Sequence, residues 1–441
     1  MNRKEESIAE KHLTIFEDRS VYHRENGSIE TFEEGPCSNA AKARIKRIKD
    51  KFESGFLNDV VDALDSGTDT VDTGQVSETA KRSLKGLVES LTSEVGRALI
   101  GLTVMQLCIK SIEPEQNIRL HKASTNGASF SWKEGVSMRT LDKKYVTPTL
   151  RRRGLVRLNA DGFMMTRSLA ENYPYSALYK AKLRGAREDW LSIVEELESR
   201  STNPNESLKY IISLLLNAAG EFRGLADAAV DALERHSDKY KTMTQVLDLT
   251  NRHVHVSEYA ARLLEVAMHA LFQAGIEVGA FGAASLKPLS QMRSANKKHG
   301  NIGDIELMEG PDIIEAWDAK YGKSYLREEV EEVAEKIPEH DHVVKVGFVT
   351  NKKIENTHEL DQRISEVEEL HDVELLIKHY DEWVEDTFRQ WENTDLVTEG
   401  ELASRWARAY VESLAQKRRE MAPIDEPCSE WLKSLITELG K

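Results

Sequence analysis

Residues 303–323 read GDIELMEGPDIIEAWDAKYGK, and they constrain the fold more than any other stretch. Two short apolar runs, each bounded by an aspartate, flank Gly310-Pro311, and this pattern predicts a β-hairpin. Asp304 opens the first run, and Asp318-Ala319-Lys320 closes the second. Side chains alternate along a strand, so Asp318 and Lys320 share one face and Trp317 and Ala319 the other. Register decides where Asp304 goes. With a loop of Glu309 to Asp312, Met308 pairs with Ile313 and Asp304 falls opposite Trp317, on the wrong face. An odd-length loop or a bulge near Asp304 brings it beside Asp318. Glu315 is the alternative carboxylate if the register runs the other way.

A carboxylate and an ammonium on one face, with a second carboxylate on the next strand, form a seat for a hard divalent cation. Mg²⁺ takes one or two carboxylates together with waters and phosphate oxygens. Such an ion activates water and stabilises charge on a phosphodiester under attack. Asp304 followed by Asp318-Ala-Lys320 resembles the active site of the PD-(D/E)XK nuclease superfamily, specifically its type II restriction endonucleases. The resemblance covers roughly Ser257 to Tyr380. It implies Mg²⁺ bound by Asp304 and Asp318, with Lys320 positioning or activating the attacking water. It also implies an extra acid on the helix before the core, for which Glu265 is the candidate, sharing a helix face with Glu258, Arg262 and His269. The bland reading of that face is a solvated polar stripe.

Length and charge set the frame. The chain has 441 residues and a net charge of −15, enough for two to four domains. The polar start MNRKEESIAE and three widely spaced cysteines, Cys37, Cys108 and Cys428, predict a cytoplasmic protein with reduced thiols. No apolar run is expected to span a membrane. There is no Walker-type loop, no dinucleotide glycine fingerprint and no zinc-finger spacing. The pairs His253/His255 and His340/His342 lack a clear third ligand.

Charge is not evenly spread. Residues 116–185 carry 14 Lys and Arg against 4 Asp and Glu, a net of +10 that leaves −25 for the remainder. Within this stretch Lys143, Lys144, Arg151, Arg152, Arg153 and Arg157 cluster around two short helices that part near Pro148. VRLNADGFMMTRS then predicts a strand, an Asn-Ala-Asp-Gly turn and a strand. Together they suggest a winged-helix-like DNA-binding segment, to be set against a merely solvated charged face. A second basic loop, 285–300, places Lys297 and Lys298 ahead of the hairpin.

The remaining pattern predicts four parts. Residues 1–79 hold a polar, irregular start, one helix from Asn39 to Leu64 and an acidic linker. Residues 80–200 hold the helical, winged-helix-like recognition domain, opening with a helical signal from Ala80 to Ile112 in which Gly96 and Gly101 mark a bend, a break or close packing. Residues 201–390 hold the nuclease core, with a helix of Ser207–His236 broken or bent near Gly220 and Gly224, and a helix capped by Ser257. Residues 391–441 form a helical extension. The fold class expected is α+β with an α/β core, a mixed sheet flanked by helices. The functional expectation is a Mg²⁺-dependent type II restriction endonuclease acting on double-stranded DNA as a homodimer, with a cognate DNA methyltransferase as genetic partner. A shape-directed repair or recombination nuclease is one alternative. A non-enzymatic winged-helix regulator, with Asp318 and Lys320 as an edge ion pair, is the other.

Overall fold

The structure is a computed structural model that describes residues 11–24, 26–124, 130–180, 183, 185–288, 301–392, 397–420 and 427–441. The chain is mixed α+β and divides into two compact units, Met1–Gly220 and Glu221–Lys441.

The first unit opens with an antiparallel sheet of β1 (His12–Ile15), β2 (Arg19–His23) and β3 (Ile29–Glu33). This corrects the expectation of an irregular start. Tyr22 and Phe32 supply the buried positions, and they cluster with Leu120 and Trp132. The helices α1 (Asn39–Glu53) and α2 (Phe56–Asp65) replace the single helix expected. The break falls at Gly55, which takes φ +95°, a conformation that glycine reaches without a Cβ clash. The next pair, α3 (Glu78–Glu89) and α4 (Glu94–Ile112), also replaces one expected helix. Here the chain breaks at Ser93, whose hydroxyl accepts from the Gly96 N–H as an N-cap. Contrary to expectation, α4 is long and apolar enough to cross a membrane by length and composition. Every residue from Gly96 to Lys110 is buried, so α4 is the central helix of this unit.

Beyond it come α5 (Met138–Leu141), a π-helical turn at Asp142–Val146, α6 (Thr147–Arg152), α7 (Arg187–Glu198) and α8 (Pro204–Arg235). The last runs without a break past Gly220 and Gly224.

The hairpin expected over Val156–Ser168 does not form, and with it goes the wing. The segment contains the 3-10 turns Gly162–Met165 and Arg167–Ala170 instead. Two causes are visible. In the second half Gly162 and Phe163 are both buried and Met164, Met165 and Thr166 are all half-buried, so burial does not alternate there as a two-faced hairpin requires. The buried Asp142 carboxylate also accepts from the Phe163 N–H at 2.9 Å and from the Thr147 hydroxyl at 2.8 Å, which ties the turn down onto the π-helical segment.

The second unit contains α9 (Met243–Val256), α10 (Ala260–Glu277), β4 (Ser285–Leu286), β5 (Ile305–Glu309), β6 (Asp312–Ala319), α11 (Arg327–Lys336), β7 (Lys345–Thr350), α12 (His358–His371), β8 (Glu374–His379), α13 (Tyr380–Glu392), α14 (Glu399–Glu420) and α15 (Cys428–Gly440). Ser257 closes α9 and does not cap α10, which starts after Tyr259. The sheet runs β4-β5-β6-β7-β8, antiparallel through β6 and parallel from β6 to β8. One face, with Ile305, Trp317 and Val349, packs in the same core as α10, α13 and α14. The other, with Ala316, Val346 and Phe348, packs in the core formed with α11 and α12. The sheet is therefore covered on both sides, as its parallel half requires.

Candidate active site

The β5–β6 ladder settles the register. Met308 pairs with Ile313 and Glu309 with Asp312, the pairing that on its own sends Asp304 to the wrong face. The next pair is Leu307 with Glu315, so Ile314 is an extra residue on β6, a β-bulge. Beyond it Glu306 faces Ala316 and Ile305 faces Trp317, which carries Asp304 opposite Asp318. The Asp304 N–H donates to the Trp317 carbonyl at 2.9 Å, and the Ala319 N–H donates to Asp304 Oδ2 at 3.1 Å. Gly303 allows this approach, since a Cβ there would lie 2.8 Å from the Trp317 carbonyl oxygen. The alternative carboxylate, Glu315, is directed to the other face, where it accepts from Trp317 Nε1 at 2.6 Å.

Asp304, Asp318 and Lys320 thus come together on the sheet face that carries Ala316 and Phe348. Lys320 Nζ lies 2.8 Å from Asp318 Oδ2. Asp318 is 7 % exposed. Burial, and then the charge and hydrogen bonding of Asp318, push the Asp304 carboxyl well above the ordinary carboxylate range. The Ala319 N–H and the Lys320 charge oppose this without cancelling it. Burial works against the Lys320 ammonium, yet Asp318, Asp304 and Glu329 outweigh it and raise its pKa. Lys320 is therefore a stable cation in this setting.

Glu329 was not singled out from the sequence. It is a buried acid on α11 that pairs with Lys323 and acts on Lys320. Its signal was faint, because Glu328 and Glu329 are adjacent in an acidic run and only the helix phase separates them. Glu306 is another inward acid. Its carboxylate accepts from the Ile302 N–H at 2.7 Å, the Gly303 N–H at 3.2 Å and Lys287 Nζ at 2.6 Å, pinning the segment that leads into Asp304.

Glu265 is placed differently. It is buried on α10, which packs in the core of the opposite sheet face, and its carboxylate pairs with Arg262. It makes no hydrogen bond or ion pair to Asp304, Asp318 or Lys320. Among the described residues no group of three or more acids, histidines and cysteines forms a metal cage. The two-carboxylate set still suits Mg²⁺, which keeps most of its waters. A buried carboxyl that keeps its proton through burial and through the charge of its neighbour Asp318 is a site that a divalent cation can neutralise.

Three of the basic residues expected to bind DNA in the first unit are engaged. Lys144 pairs with Glu53 at 2.8 Å, Arg153 pairs with Asp62, and Arg152 donates to the Asn58 side chain at 2.6 Å. Arg157 is half-buried, while Lys143 and Arg151 are exposed without an ion pair among the described residues. Lys297 and Lys298 lie outside the described residues. Compared with protein-family models and with curated proteins, the chain matches none.

Proposed function

We propose that the chain is a Mg²⁺-dependent nuclease that hydrolyses phosphodiester bonds of double-stranded DNA, as a type II restriction endonuclease does. The observation that carries this reading is the bulge at Ile314, which sets Asp304 opposite Asp318 and beside Lys320 on a covered sheet. A mere edge ion pair needs neither the second carboxyl nor the extra residue. Lys323 and Glu329 border the same face and extend its polar surround.

In this mechanism Asp304 and Asp318 would hold the ion, and Mg²⁺ would supply an activated water and Lewis-acid stabilisation when bound. Asp304 would release to solvent the proton it retains beside Asp318. The Ala319 N–H, donating to Asp304 Oδ2, orients that carboxylate. Lys320 keeps its proton at Nζ, so its part is electrostatic: it steadies the charge that grows on the phosphate oxygens and is not the base. Homodimerisation, with two copies facing a two-fold-symmetric site, and a companion methyltransferase belong to the restriction reading.

The test is incubation of the full chain with unmethylated phage DNA and Mg²⁺, followed by sequencing of fragment ends. Discrete ends support the restriction reading. Cutting without sequence preference supports a shape-directed nuclease of the same site. No metal-dependent cutting of any DNA refutes both.

A further inference from the structure

We infer that the exposed stripe of α1 is a docking ridge for the phosphate backbone of duplex DNA; the choice of partner rests on the nuclease reading above. Lys42, Lys46, Lys49 and Glu53 stand at i, i+4, i+7 and i+11, so they form one line along the helix. All four are exposed. Glu53 ends the line by binding Lys144 Nζ and the Tyr145 hydroxyl, each at 2.8 Å, and Lys143 stands exposed next to it. The ridge therefore continues from α1 onto the π-helical turn, with about 16 Å between its first and last helical positions. That is roughly half a turn of B-form DNA.

A solvated face is the ordinary reading of such lysines, and two features speak against it. Arg44 and Arg47, on the same helix, are neutralised by Glu134 and Glu113, whereas Lys42 and Lys46 form no ion pair among the described residues and Lys49 has only a longer-range attraction to Glu53. Glu53 is already engaged by Lys144, and Asp50 is the other acid of α1. Like charges at this spacing each cost a helix about 0.2–0.5 kcal/mol. The first turn of α1 also holds Lys42 and no acid, against the preference of the helix dipole.

The form of the ridge selects the partner. Single strands are held by bases stacked on free aromatic faces. Here Tyr145 stacks on Phe52, with ring centroids 5.4 Å apart and planes 18° apart, and its hydroxyl is held by Glu53. A rigid line of ammonium groups without a free ring suits a duplex backbone, which it grips without reading sequence.

The experiment measures binding of the full chain to a random-sequence duplex in chelator, across a salt series. K42Q/K46Q/K49Q is expected to bind about two to three orders of magnitude more weakly at about 0.1 M salt, with a log–log salt slope shallower by about 2.7. The K42R/K46R/K49R variant is expected to retain wild-type binding, since backbone contacts need only charge. An unchanged affinity and slope in the glutamine variant overturns the ridge, even where Mg²⁺-dependent cutting by wild type upholds the nuclease. Lysine-dependent binding without any cutting upholds the ridge and refutes the nuclease. Tighter binding to a single strand, or a lysine-dependent affinity for anionic vesicles with none for DNA, overturns the duplex assignment.

Discussion

Replacing Asp304 by Asn tests the carboxyl pair through stability as well as activity. Asp304 titrates well above the ordinary carboxylate range, first through burial and then through Asp318. The sign follows from proton counting. Between the unfolded pKa, about 3.9, and the raised folded value, the folded state binds the extra proton, so stability falls as pH rises through that window. The slope from one such group is at most about 1.36 kcal/mol per pH unit. Asn keeps an oxygen to accept from the Ala319 N–H and removes the charge. Two unit charges about 4 Å apart repel by about 4 kcal/mol at an effective dielectric of about 20, which sets the scale of the charge part of the relief, with burial adding to it. A gain of about 1–3 kcal/mol at pH 8 corresponds to roughly 2–10 °C in Tm for a unit of this size. Calorimetry of wild type and variant from pH 5 to 9 reads this directly. Mg²⁺ is expected to raise the wild-type transition, by about 2.7 kcal/mol at a hundred times its Kd, and to leave the variant unmoved. The variant is expected to lose DNA cutting. An Asp304→Asn protein that is less stable than wild type at pH 8, still responds to Mg²⁺ and still cuts would refute the paired-carboxyl site.

Lys320→Ala is expected to cut at least ~10²-fold more slowly while binding duplex normally, measured by single-turnover cleavage beside a binding titration; normal cutting would remove Lys320 from the chemistry. Glu265→Gln removes the negative partner of the buried Arg262–Glu265 pair, so Tm is expected to fall while cutting per folded molecule is preserved. Loss of cutting without loss of stability would instead return Glu265 to the active site. Burial lowers His121 to a pKa of about 3 and His253 to about 4, each below its unfolded value near 6.5. The unfolded state therefore takes up protons first, and stability is expected to drop as pH falls below about 6.5. His121→Phe, which preserves the stack on Tyr175, should flatten that acid loss in urea titrations of the first unit's transition; an unchanged pH profile would count against burial as the cause.

The sequence carried the hairpin, the Asp318–Lys320 face and the strand–helix alternation, because each rests on local periodicity. It left Asp304 and Glu315 open, because a bulge is a choice between pairings and both Ile313 and Ile314 are apolar. The wing failed for a related reason. Asn-Ala-Asp-Gly is a sound turn signal, but the segment's fate was decided by Asp142, about twenty positions earlier, whose carboxylate captures the Phe163 N–H. The basic cluster was legible as charge and not as free charge. That Lys144, Arg152 and Arg153 are spent on Glu53, Asn58 and Asp62 depends on packing against α1 and α2, which no local pattern encodes.

The extra residue on β6 also divides the hairpin by its tolerance to length change. Between the turn and Ile314 the ladder holds slack: removing Ile314 leaves Met308 across from Ile313 and Leu307 across from Glu315, and regularises the strand without moving the carboxyl pair. From Glu315 onward no slack remains, and losing a single residue before Asp318 would turn that aspartate and Lys320 to the opposite side of the sheet. Insertions and deletions in this protein should therefore be absorbed on the turn side of residue 315 and be lethal to activity on the other.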